Sequence, residues 1–154
     1  VVGMQHQRLT RLDTHLALAL LAAPPVWFAL FLWAQPSMRV PQGVWVWCSL
    51  VLVQPCVEEW VFRGLLQGQA LRLTTRHGQP ARLGPITSAN ALVTLVFVVL
   101  HLMAQPVVWA VAVAVPSLVL GHLRERFHSV WPAVFVHATY NAGYGLVAWA
   151  PVSA

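Results

Sequence analysis

Five long apolar stretches, with charge confined almost wholly to the segments between them, decide what this chain can fold into. They run from about His15 to Ala34, Gly43 to Leu73, Ile86 to Met103, Val107 to Leu123 and Val130 to Ala150. A helix needs about 20 mostly apolar residues to cross a bilayer, and in lipid every backbone N–H and C=O must be satisfied within the protein. With 58% hydrophobic and only 8% charged residues, and a mean hydropathy of +0.68, these 154 residues are far too apolar for a water-soluble domain. The expected fold is an all-α membrane protein: a bundle of about five transmembrane helices forming a single domain over residues 1–154, with its motif-bearing core at about 43–150.

The basic residues are all arginines, and the formal charge of +5 would suggest nucleic acid if the chain were soluble. Their placement at the ends of apolar runs is instead topological. Arg8 and Arg11, then Arg72, Arg76 and Arg82, then Arg124 and Arg126 mark cytoplasmic segments, and Arg39 marks an outer one. Five spans then put the N-terminus in the cytoplasm and the C-terminus outside. Trp33, Trp45, Trp47, Trp109, Trp131 and Trp149 fall near span ends, where interfacial belts form. Pro24 and Pro25 predict a kink in the first span, residues 74–85 with Gly78, Pro80, Gly84 and Pro85 read as a cytoplasmic loop, and Arg124–Glu125–Arg126 as a cytoplasmic turn. Cys48 and Cys56, eight positions apart on one helix, are about 12 Å apart and too distant for a disulfide. The early Arg8, Arg11 and Leu16–Ala23 imitate a secretory signal, but the apolar stretch runs on to Trp33 and is read as a retained helix.

Against this background a few polar residues stand out. Two of the four acidic residues, Glu58 and Glu59, lie side by side within an apolar run, where a carboxylate costs several kcal/mol and normally faces a bundle interior. Glu59 and Arg63 are one helical turn apart and form an ion pair with the favoured order of charges. Glu58 points about 100° away around the helix without a local cation and is the candidate general base. His101 lies in the third span, and His137 and Asn141 share one face of the fifth, from which both can donate to one substrate oxygen. Counted from Ile86 at about 1.5 Å per residue, His101 falls on the outer side of Glu58, a mismatch reduced if the membrane part of that span begins near Ala91, so the sequence alone leaves the depth of the site open. Each residue also has a plainer reading: a histidine or asparagine in a membrane helix is often an interhelical hydrogen bond, and a Glu-Glu-Arg group can be a structural ion cluster. Polar groups of these types on three spans of one short chain favour chemistry. His6, His15, His77, His122 and His128 lie at interfaces or in loops and carry no assigned role.

Glu58–Glu59–Trp60–Val61–Phe62–Arg63 resembles the EExxxR motif of the CAAX protease and bacteriocin-processing family, intramembrane glutamic proteases also called Abi-type. Phe97–Val98–Val99–Leu100–His101 is similar to that family's FxxxH motif, and His137–Ala138–Thr139–Tyr140–Asn141 to its HxxxN/D motif. The likeness covers about Val53 to Tyr144, and three ordered motifs together are far more specific than any one. The resemblance implies that Glu58 and His101 activate a water, that His137 and Asn141 bind the oxyanion, that Glu59 and Arg63 support the site, and that no metal or other cofactor is needed. It implies an endopeptidase cutting near the C-terminus of a membrane-associated protein or peptide, with a C-terminal sorting signal or lipidated tail as the partner. The shortness of the chain resembles members that accompany bacterial systems processing C-terminal sorting signals. The expected location is the bacterial inner membrane, and nucleic acid is not expected as a partner.

Three other readings remain open at this point. A zinc protease could use two histidines and a glutamate, although HExxH is absent. An immunity or scaffold protein could keep the fold without turnover, although Glu58, His101, His137 and Asn141 are all intact. A proton-relaying transporter could use the same groups, although no repeated half is present.

Overall fold

The computed structural model of the chain describes residues 13–34 and 38–150, which form five helical rods. Arg8, Arg11, His6 and part of the outer loop lie outside the described residues. The rods are α1 (Thr14–Trp33), α2 (Val44–Thr74), α3 (Ser88–Leu102), α4 (Val107–Phe127) and α5 (Trp131–Trp149). By length and composition α1, α2 and α4 can cross a membrane; α3 is apolar but shorter, and α5 is diluted by Pro132, His137, Thr139, Asn141, Gly143 and Gly145.

Prolines set the irregularities. The first helix breaks at Ala22, and Pro24 and Pro25 occupy the first turn of its second half, where a missing N–H costs little. In α2, Pro55 follows a wide π-type turn over Ser49–Val53, and a second such segment covers Trp60–Leu66. The short regular stretch Gln54–Glu59 between them carries the two glutamates, and π-type insertions are frequent at functional sites. Pro116 falls in the first turn of the second half of α4, just after a bend at Val113.

The stretch expected as an open loop contains two minimal antiparallel ladders. β1 (Thr75–Arg76) pairs with β2 (Gln79–Pro80), and β3 (Arg82–Leu83) with β4 (Ile86–Thr87). The first is closed by His77 and Gly78 at φ +50° and +77°, the left-handed pair that a two-residue hairpin demands. Arg124–Glu125–Arg126 also departs from expectation: α4 continues through it to Phe127 and ends on His128 in the left-handed conformation.

Helix α5 is the hub. It packs against α1, α2 and α4, and the Tyr140 hydroxyl donates to the Ala19 carbonyl at 2.8 Å. Gly143 lies so close to the Trp27 ring that any Cβ there would collide with it. One apolar cluster joins Ala19, Leu120, Leu123, Ala133 and Val136; a second joins Phe62, Ala70, Ala89, Val93 and Phe97 where α3 crosses the C-terminal half of α2. The outward faces bear Leu52, Leu65, Leu95, Val108, Val115 and Phe135, all exposed. In water such a surface would drive aggregation; against lipid tails it is the required solvent-facing skin.

Candidate active site

Glu59 is fully buried on α2, and its two carboxylate oxygens are used separately. Oε2 accepts from Arg63 Nε at 3.1 Å, and Oε1 faces His137 Nδ1 at 2.8 Å. The Arg63 pair was legible from spacing; the His137 contact, across 78 positions of sequence, was not. A carboxylate held by a guanidinium can only accept here, so Nδ1 of His137 carries a proton. His137 Nε2 then turns toward Glu58, whose Oε2 lies 3.8 Å away. Among the described residues Glu58 has no arginine partner, and its side chain remains 30% exposed whereas that of Glu59 is completely enclosed. One imidazole thus bridges a locked carboxylate and an open one.

His101 reaches the same place from α3. The Phe62 and Phe97 rings meet edge to face with centroids 4.8 Å apart. These helices run antiparallel, so four residues back from Phe62 and four on from Phe97 put Glu58 and His101 level with each other. Counting span ends left that depth open; the packing of α3 on the long C-terminal half of α2, rather than alongside its centre, sets it. Glu58 lies in the electrostatic field of both His137 and His101. His101 Nδ1 sits 2.8 Å from the Phe97 carbonyl, which can only accept, so Nδ1 holds the proton and Nε2 is left with its lone pair.

Asn141 shares the His137 face as its spacing predicts, but its Nδ2 donates to the Leu50 carbonyl at 2.9 Å and ties α5 to α2. One N–H of that amide therefore positions a helix, and the second remains for another acceptor. Among the described residues no three His, Cys, Asp or Glu side chains converge in a way that could hold a metal ion. Cys48 and Cys56 are both free.

The profile of the type II CAAX prenyl endopeptidase Rce1-like family matches residues 39–143, well over half of the chain. The chain belongs to this family. No curated protein and no solved structure matches it. As a member of the CAAX endopeptidase family it is an integral membrane protease whose substrates are membrane-associated proteins or peptides.

Within this CAAX endopeptidase, a buried polar column runs on from the site toward the loop ladders and was missed in the sequence. Arg63 Nη2 donates to Ser117 Oγ at 2.8 Å, and Ser117 Oγ meets Thr94 Oγ1 at 2.9 Å. Asn90 Nδ2 donates to the Leu118 carbonyl at 2.9 Å, an approach that requires glycine at 121, where any Cβ would collide with the Asn90 amide. Gln67 Nε2 donates to the Gly121 carbonyl and to Glu125 Oε1, which also accepts from Thr87 Oγ1 at 2.6 Å. Glu125 is therefore a tethered member of the column, not a solvated turn residue. A sequence signal existed: Glu59, Arg63 and Gln67 on α2, Asn90 and Thr94 on α3, and Ser117, Gly121 and Glu125 on α4 all recur at four-residue spacing, marking three faces that must meet.

Proposed function

We propose that this CAAX-type endopeptidase hydrolyses its substrate without a metal or other cofactor, by a glutamic mechanism. Glu58 takes a proton from the attacking water, which also donates a hydrogen bond to His101 Nε2, as its oxygen bonds to the scissile carbonyl carbon. His137, doubly protonated between Glu58 and Glu59, donates Nε2–H to the developing oxyanion, assisted by the second N–H of Asn141. The proton held by Glu58 then passes to the leaving amine nitrogen as the C–N bond breaks. Glu59 and Arg63 hold the His137 ring. With Glu58 and Glu59 ionised, Arg63 and the imidazolium balance the charge, which makes the cluster tolerable at membrane depth.

The observation that carries this reading is the asymmetry of the two glutamates around His137: 2.8 Å to the arginine-paired Glu59, 3.8 Å to the unpaired and half-open Glu58. The substrate is a peptide bond near the C-terminus of a lipidated tail or sorting signal in a bacterial inner membrane. Residues 1–154 act as a single domain, with the N-terminus and the 75–87 segment cytoplasmic. Reporter fusions that placed the 75–87 segment outside would reverse this orientation.

The deciding experiment is incubation of the purified protein in lipid with C-terminal peptides, prenylated and unprenylated, with mass spectrometry of the products. One cut near the C-terminus, lost in Glu58→Gln and insensitive to phenanthroline, is expected. Reversible chelator inhibition restored by zinc would convert Glu58, His101 and His137 into a metal site. No cleavage of any peptide by folded protein would favour a scaffold or immunity role.

A further inference from the structure

The geometry points to Ser117 of α4, supported by Thr94 of α3, as a positioning residue for the peptidase reaction, acting through Arg63 and Glu59 on His137. The inference rests on the mechanism proposed above and adds a residue that belongs to none of the three motifs.

Arg63 is fully buried and is held laterally at two points, Nε on Glu59 and Nη2 on Ser117; Nη1 has no hydrogen-bond partner among the described residues. Its guanidinium lies 5.7 Å from the Phe97 ring centroid, a contact that holds the plane but does not set its rotation within that plane. Rotation is set by Ser117. The hydroxyl is itself anchored, because Ser117 Oγ and Thr94 Oγ1 meet at 2.9 Å with Thr94 next to Asn90 Oδ1, and whichever hydroxyl donates, Ser117 keeps a lone pair for Arg63. Asn90 in turn is fixed by the Leu118 carbonyl and the glycine at 121. From Asn90 to His137 the polar groups thus form one continuous chain of contacts, and the end of the chain is the ring that sits between the two glutamates. Fixing a reacting group through its neighbour's neighbour is worth up to about 10²-fold in rate, because small displacements of the reacting atoms are costly.

The test compares Ser117→Ala, Ser117→Thr and Thr94→Val with wild type and Glu58→Gln in one peptide-cleavage assay, with melting temperatures measured in parallel. Ser117→Ala is expected to lower kcat about tenfold to 10²-fold with KM within about threefold. Ser117→Thr, which keeps the hydroxyl, should recover most of that loss, and Thr94→Val should lower kcat by a smaller factor. A folded Ser117→Ala protein with wild-type kcat would overturn the inference. So would a loss confined to melting temperature. If Ser117→Ala does not fold, Thr94→Val decides, and unchanged kcat there overturns it as well. An active Glu58→Gln would instead bring down the proposed mechanism, so the two failures are distinguishable.

Discussion

Two ion pairs in this protein have similar geometry and opposite surroundings. Arg126 and Asp13 meet at 2.7 Å where α4 ends and α1 begins, with both side chains partly exposed; Arg63 and Glu59 meet at 3.1 Å with both side chains wholly buried. The shorter contact is the weaker one in consequence. At the rim, water and salt screen the charges and replace the partner readily when it is lost. In the bundle nothing replaces it, and the pair is held further by Ser117 on Nη2 of the arginine and His137 on the second oxygen of the glutamate. Burial, not distance, makes an ion pair into a positioning device.

The hardest blow to that contrast is removal of the buried acid. Glu59→Gln should destabilise the protein by about 3–5 kcal/mol, because Arg63 is left as an uncompensated buried charge, and should also lower turnover through His137. Denaturation in detergent followed by helical signal, beside peptide cleavage, measures both. A Glu59→Gln protein as stable as Asp13→Asn would abolish the distinction between the two pairs.

Glu58→Gln separates the two halves of the site itself. Glu58 lacks an arginine partner and is half open, so stability should change little, while loss of the base should cost turnover by about 10²–10⁴. Retained activity with lost stability would mean that the two glutamates have exchanged roles.

Much of this arrangement is legible in the sequence, and what is legible has a physical origin. Helix ends fell within a few residues of expectation because apolar runs and prolines act locally, and the Glu59–Arg63 pair follows from one helical turn. Contacts between helices were not legible. His137 on Glu59, Arg63 on Ser117 and Gln67 on Gly121 join residues 54 or more positions apart, and local spacing says nothing of which faces meet. Glu125 misled because a charged triplet is ordinarily solvated; here Thr87 and Gln67 satisfy its carboxylate. The two hairpins were hidden in a breaker-rich segment whose glycines and prolines suggest only turning.

Asn141 tests whether a group can serve both structure and chemistry. Its Nδ2 bond to Leu50 is one helix tie among many, so stability should fall slightly, whereas loss of an oxyanion donor typically costs about 10²–10³ in kcat. Asn141→Ala should therefore lose turnover with KM nearly constant. A rise in KM with kcat preserved would restrict Asn141 to binding α2 to α5.

The smallest effect belongs to the rim pair and completes the comparison. Arg126 donates to both oxygens of Asp13, and the same carboxylate caps the start of α1 through the His15 and Leu16 amides. The Arg126 hydrogen bonds, chiefly, hold the Asp13 carboxyl down at about 2, below its ordinary value of 3.8. A folded value below the unfolded one means that the pair stabilises above about 3.8 and that this contribution disappears as pH falls through about 2. The melting difference between wild type and Asp13→Asn should accordingly be small, constant near neutral pH, and should shrink only between about pH 4 and pH 2. It should also diminish at high salt, which screens exposed charges within about 10 Å at 0.1 M, while the Glu59→Gln penalty should hardly respond. A rim pair as costly to remove as Glu59, or as indifferent to salt, would show that α1 and α4 bury this contact, and the contrast with the bundle interior would fail.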